Sequence, residues 1–174
     1  ADVDGTATRA STTYKGLPGD VKAGDRILID DGRVAMKALS VTDTDVVCEI
    51  LEGTALSSNK GINLPGVAVS VPALSDKDEE DLRWALRIGV DMIALSFVRN
   101  AADYDDVRRI MDEEGVVVPV IAKIEKPQAV ANLQEIVDTF DAIMVARGDL
   151  GVELPLEEVP LVQKQCIKIG RAHV

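Results

Sequence analysis

From Tyr14 to about Pro65, apolar and polar residues alternate in the short runs RILID, VAMKALSV and DVVCEIL, which are separated by the Asp31-Gly32 pair and bounded by Gly53. Period-two alternation around an Asp-Gly pair predicts antiparallel hairpins, and no helix of ordinary length fits there. Beyond Pro72 the pattern changes to alternating helices and strands. SDKDEEDLRWALRIGV opens on Ser75, a predicted N-cap, continues with acids in the first turn, and repeats Leu82, Ala85, Leu86 and Gly89 at helical spacing. DMIALSFV then predicts a strand, NAADYDDVRRIMDEEG a helix, VVVPVIAKIE a strand, KPQAVANLQEIVDTF a helix and DAIMVARGDLGVE a strand. These strands are nearly continuous apolar runs, the pattern of parallel strands buried on both faces. Trp84 and Met92 are assigned to the core. An open doubly wound sheet and a (β/α)8 barrel both accommodate such units, and the absence of GxGxxG and GxxxxGK[ST] motifs favours the barrel.

Composition narrows the partners. The chain has 174 residues with 19 Lys and Arg against 30 Asp and Glu, a net charge of -11 that repels nucleic acid and anionic membrane surfaces. An acidic protein acting on a phosphate ester must gather its few cations locally or employ a divalent metal. Cys48 and Cys166 stand far apart outside any CxxC pattern and read as reduced core thiols. The first residues contain no apolar signal segment, so a cytoplasmic location is the expectation, and the abrupt start at Ala1 suggests that the natural N-terminus is missing.

Candidate chemistry lies at the strand ends: Ser96 after MIAL, Lys123 and Glu125 after VIA, Arg147 and Asp149 after MVA. In barrels the C-terminal strand ends form active sites. Lys123 and Glu125, two apart, project to the same side of a strand with Cα atoms roughly 7 Å apart. Glu125 and Asp149 are separated by about one βα unit, which predicts equivalent heights on neighbouring strands. Two converging carboxylates suit magnesium, which takes one or two protein acids together with waters and substrate oxygens. Lys123 would add positive charge facing a phosphoryl group, and RGDLG would expose backbone N–H groups at a turn able to hold a carboxylate. The blander reading makes Lys123–Glu125 a solvated ion pair, Asp149 a cap and Arg147 a structural ion-pair partner.

IAKIEKPQAV, IMVARGDLGVELPLEEVPLVQK and KGINLPG occur together, in family order and at family spacing, and the chain resembles the pyruvate kinases from Thr12 to about Lys168. The resemblance implies phosphoryl transfer from phosphoenolpyruvate to ADP, giving pyruvate and ATP in glycolysis. It implies an α/β fold that is part of a (β/α)8 TIM barrel with an inserted small β-barrel lid. Residues 1–71 would be lid, 72–168 barrel, and 169–174 (IGRAHV) a non-native tail that reads like a translated sequencing adapter. Lys123 matches the catalytic lysine that stabilises the developing enolate. Glu125 and Asp149 match the ligands of Mg2+ or Mn2+. Ala146, Arg147, Gly148 and Asp149 match the segment holding the substrate carboxylate, and Ser96 with Phe97 matches the potassium and phosphate side of the site. Lys60 matches a lysine reaching the nucleotide phosphates. The resemblance further implies K+ as a second cation and a homotetrameric parent enzyme, and the isolated chain, lacking the other strands, is expected to be inactive. A metal-dependent lyase or aldolase of the phosphoenolpyruvate/pyruvate barrel group and an inactive binding remnant are the alternatives.

Overall fold

The hairpins expected of the first segment form a four-stranded antiparallel sheet in a computed structural model that describes residues 3–67, 69, 70 and 72–171, with only the backbone for residue 171. The chain divides into two compact units, Ala1–Val71 and Pro72–Val174. In the first, a short helix α1 (Leu17–Asp20) precedes β1 (Arg26–Ile29), β2 (Val34–Val41), β3 (Val46–Glu52) and β4 (Ile62–Asn63), ordered β3-β2-β1-β4. The β1–β2 connection is a tight turn closed by the Arg33 N–H on the Asp30 carbonyl at 3.1 Å. Its central residues, Asp31 at φ 54 and Gly32 at φ 86, have the positive values that a type I′ turn requires. Val21, Ile27, Ile29, Val34, Ala38 and Leu64 form the core of this unit.

The second unit begins with α2 (Asp76–Ile88), whose capping box links Ser75 and Asp78 reciprocally and whose end is closed by left-handed Gly89. There follow β5 (Ile93–Leu95), α3 (Asp103–Glu114), β6 (Val120–Ile124), α4 (Pro127–Ala131), α5 (Leu133–Thr139), β7 (Ala142–Val145), α6 (Arg147–Glu153) and α7 (Val159–Arg171). The strands form a parallel sheet ordered β5-β6-β7. Val98, Val107, Ile110, Met111, Val120, Ala122, Ile124, Ile136, Leu150 and Cys166 join one core cluster between sheet and helices. No helix of the described residues is long and apolar enough to cross a membrane.

Several expectations are corrected. Trp84 and Met92 are not in the core but 64% and 54% exposed. The buried face of α2 is defined by Leu82 and Leu86, and Trp84, two positions from each, points away from it. Met92 precedes β5, outside the sheet. The third helix is two, interrupted at Asn132, which adopts φ -103, ψ 20 and donates its Nδ2 to the Arg99 carbonyl at 3.0 Å. The third strand ends at Val145, and RGDLGVE is helix α6 rather than strand and open turn. Burial on both faces fails for β7, where Ala142 and Met144 are exposed; only β6, between its two neighbours, is covered well. Helix α7 continues through Ile169 and Gly170 to Arg171, while residues 172–174 of the expected tail lie outside the described residues.

Candidate active site

Strand β6 sets the site by its alternation. Val120, Ala122 and Ile124 are fully buried, so Ile121 and Lys123 belong to the opposite face. Parallel pairing brings Leu95 beside Ala122 and Lys123 beside Met144, so one step past Leu95 Ser96 stands next to Lys123. The contact follows: Lys123 Nζ donates to Ser96 Oγ at 2.9 Å. The same ammonium is ion-paired with Glu125 Oε1, and its side chain is 23% exposed against 2% for the glutamate. Glu125 Oε2 accepts the Phe97 N–H at 2.9 Å. Ser96, Phe97, Lys123 and Glu125 are therefore one connected cluster at the C-terminal ends of two adjacent strands. The blander picture of a solvated Lys–Glu pair does not describe it, because Glu125 is buried.

The backbone at Phe97 is strained. Its φ is 56, in the left-handed region that bulky residues avoid. That turn aims its N–H at Glu125, and such strain persists only where the surroundings over-determine it.

The strand-end segment after β7 is placed differently from expectation. Ile124 pairs with Val145 and the Ala146 N–H donates to the Ile124 carbonyl at 3.2 Å. Glu125 therefore stands level with Ala146, not with Asp149. Ala146 is buried, whereas Arg147, Gly148 and Asp149 form the exposed first turn of α6. No hydrogen bond or ion pair joins Asp149 to Glu125 or Lys123 among the described residues. Arg147 and Gly148 line a cleft of about 350 Å³ with Val159, Pro160 and Gln163 of α7. Lys60 lies in the first unit, its Nζ 3.0 Å from Asp30 Oδ1, and this hydrogen bond holds the Asp30 carboxyl below the usual carboxylate range.

Among the described residues no group of three or more His, Cys, Asp or Glu gathers as a metal cage. Magnesium needs no such cage, and carboxylate is the donor type it takes, but the sheet register sets Glu125 level with Ala146 and leaves Asp149 in the exposed first turn of α6.

Two residues of this neighbourhood escaped the sequence reading. Lys126 Nζ is 2.5 Å from Glu153 Oε1, with the two side chains 18% and 3% exposed, and lies 5.2 Å from the centroid of the Phe97 ring. The residues of this ion pair stand on different elements, so no short motif announces it; the one local signal is Pro127, which holds the preceding Lys126 extended at φ -118, ψ 146.

Comparison with known proteins bears on what the cluster serves. A family described as "Pyruvate kinase, barrel domain" matches residues 2–173. Similar proteins include the pyruvate kinase of Corynebacterium glutamicum, 64% identical over 172 residues, covering 99% of this chain and 36% of that protein. That of Mycobacterium tuberculosis is 61% identical over 170 residues, covering 98% and 36%. That of Staphylococcus aureus is 43% identical over 176 residues, covering 98% and 30%. The chain thus spans about a third of the length of these relatives.

Proposed function

We propose, because this chain belongs to the pyruvate kinase family, that it carries the central part of a catalytic centre for phosphoryl transfer from phosphoenolpyruvate to ADP. The observation that carries the reading is the connected Ser96–Lys123–Glu125 cluster with the Phe97 N–H, anchored on the buried Glu125 and built where parallel β/α folds place their chemistry. The lyase or aldolase alternative is not favoured, since the family match extends over nearly the whole chain.

In the reaction the bond between phosphorus and the enol oxygen breaks, its electron pair staying on that oxygen, while a β-phosphate oxygen of ADP forms the new bond to phosphorus. The enolate left behind takes a proton at its terminal carbon to become pyruvate. Positioning and charge neutralisation govern such a step. Lys123 is suited to this because Ser96 and Glu125 hold its ammonium before substrate arrives, so a fixed positive charge meets the charge that develops on the enol oxygen without reorganisation. Glu125 and Asp149 would hold Mg2+ or Mn2+, which when bound neutralises phosphoryl oxygens. Of the segment Ala146 to Asp149, the Ala146 N–H is already donated to the Ile124 carbonyl, so the N–H groups of residues 147–149, in the first turn of α6, would face the substrate carboxylate, with Ser96 and Phe97 on the side of the phosphate and of K+. Lys60 would reach the phosphates of ADP.

The architecture that goes with this reading is the (β/α)8 barrel of the family, of which residues 72–168 would form part, with residues 1–71 part of the inserted lid. The sheet face opposite the helices carries Ala94, Ile121 and Ala142 in one row, with Lys123 and Met144 in the next. Such rows are the interior layers of a closed barrel, and Met144, 46% exposed here, is the kind of side chain that closure would cover. Assembly as a homotetramer and a cytoplasmic location rest on the family resemblance, and a non-native tail at 169–174 rests on the sequence alone, although the family match runs to residue 173. An intact gene encoding IGRAHV in frame would remove the tail from this reading.

The test is a chimera in which this chain replaces the matched segment of the Corynebacterium glutamicum relative. Phosphoenolpyruvate-dependent ATP formation that is lost on Lys123→Met supports the reading. Turnover unaffected by that substitution overturns it.

A further inference from the structure

Resting on the reading above, we propose that Lys126 is a positioning residue: anchored by Glu153, its ammonium lies over the Phe97 ring and holds that residue in the left-handed conformation that presents its N–H to Glu125. Phe97 has an unfavourable φ, and its ring, 55% exposed, gains little from packing. Two interactions offset that cost. One is the N–H donated to Glu125 Oε2, and the other is the Lys126 ammonium 5.2 Å from the ring centroid, within the range of a favourable cation–π contact. A lysine on a flexible four-carbon stem would not remain there unaided. Pro127 fixes its backbone extended, and the Glu153 carboxylate, its side chain 3% exposed, holds its head at 2.5 Å.

Glu153 closes α6, the helix whose first turn contains Arg147, Gly148 and Asp149. One ammonium therefore links the end of β5 through Phe97, the end of β6 through its own backbone, and the helix after β7 through Glu153. Removing the cation should release Phe97 to an ordinary φ, withdraw its N–H from Glu125 and let α6 drift from the end of β6. Lys126 touches neither reacting atoms nor substrate in this scheme; it acts through Phe97 and Glu153.

The chimera tests this with Lys126→Gln/Glu153→Gln, which retains a hydrogen bond between the two side chains but removes the cation and the buried charge together. Two quantities are measured: kcat with the KM for each substrate, and deuterium exchange at the Phe97 amide resolved by fragmentation mass spectrometry. The double variant should lower kcat about tenfold, leave the KM for ADP within about twofold, and speed exchange at Phe97 about tenfold while the amides of β6 stay protected. Lys126→Arg, which retains both the ion pair and the ring contact, should restore all of these to within about twofold. Unchanged exchange at Phe97 in the double variant overturns the proposal, as does a loss that Lys126→Arg reproduces. Should exchange rise throughout β6, the apolar pair Lys126→Met/Glu153→Met replaces the double variant under the same criteria. If the unaltered chimera forms no ATP, the reading of function fails, and exchange at Phe97 still decides the role of Lys126.

Discussion

Lys123→Met separates the stability role of the buried pair from its chemical role. The substitution leaves Glu125, 1% exposed, with the Phe97 N–H at 2.9 Å as its remaining partner. Breaking one side of a buried ion pair costs about 3–5 kcal/mol, and the surviving charge-assisted hydrogen bond places this case near the lower end, about 3 kcal/mol. With a urea m-value of about 2 kcal/mol per M, the midpoint should fall by roughly 1.5 M. Adding Glu125→Gln removes the stranded charge yet preserves a carbonyl for the Phe97 N–H. Lys123→Met/Glu125→Gln should therefore recover to within about 1 kcal/mol of the parent. Circular dichroism at 222 nm is the suitable signal, because every described helix longer than the four residues of α1 lies in the second unit with the pair. Turnover in the chimera should behave oppositely, falling by several orders of magnitude in both variants, since the fixed cation is absent from each. A single variant as stable as the parent would refute the burial argument, and a double variant regaining turnover would refute the catalytic assignment.

In the same chimera, Glu125→Gln and Asp149→Asn should each raise the magnesium concentration for half-maximal rate by about tenfold or more, as each removes an anionic ligand; an unchanged titration would make both acids structural. Lys60→Ala should weaken ADP by several-fold and phosphoenolpyruvate little, whereas an effect confined to phosphoenolpyruvate would contradict its assignment to the nucleotide. Acid should weaken the contact of α2 with α3: Glu113, bound by Arg83 and Arg109, and Glu114, bound by Arg87 and Arg83, both have carboxyl pKa values held below the ordinary range. The unfolded chain then takes up more protons, so this contribution is full above the unfolded value of about 4.3 and is lost as pH falls through the lower folded values. Urea midpoints of Arg83→Gln and the parent, measured from pH 7 to pH 3, should converge at the acid end, and a constant difference would disprove the linkage.

What was legible in the sequence is what depends on near neighbours in the chain. Ser75 and Asp78 cap α2 by a reciprocal local bond, Asp31-Gly32 makes its turn from its own backbone preferences, and the step of two from Lys123 to Glu125 places both on one side of the chain. What failed depends on partners distant in sequence. Apolar character alone could not tell that Trp84 lies off the face shared by Leu82 and Leu86. The break at Asn132 needs the Arg99 carbonyl, and the level of Asp149 was misjudged because chain distance across a βα unit does not specify pairing register, which runs Ile124 to Val145. The helix at RGDLGVE was concealed by Gly148 and Gly151, whose low intrinsic propensity argues for a turn. Nothing in the residues around Phe97 signals a positive φ, since neither Gly nor Asn occupies that place.

The cluster at the ends of β5 and β6 concentrates features that each oppose folding: a buried carboxylate on Glu125, a second ion pair between Lys126 and Glu153, whose side chain is 3% exposed, and a phenylalanine with left-handed backbone. A sequence selected for stability alone would replace such pairs by aliphatic residues, often without loss and sometimes with gain. The remainder of β6 follows that rule, with Val120, Ala122 and Ile124 fully buried in an apolar core that also receives Val98, Ile110 and Leu150. The departure begins at Lys123, where the strand reaches its C-terminal end. Local stability is surrendered where a fixed cation, an oriented carboxylate and an aimed backbone N–H come together, and is supplied by the aliphatic half of the same strand. That arrangement is expected of a preorganised electrostatic site, in which polar groups are oriented during folding and need not reorganise as charge moves in the reaction.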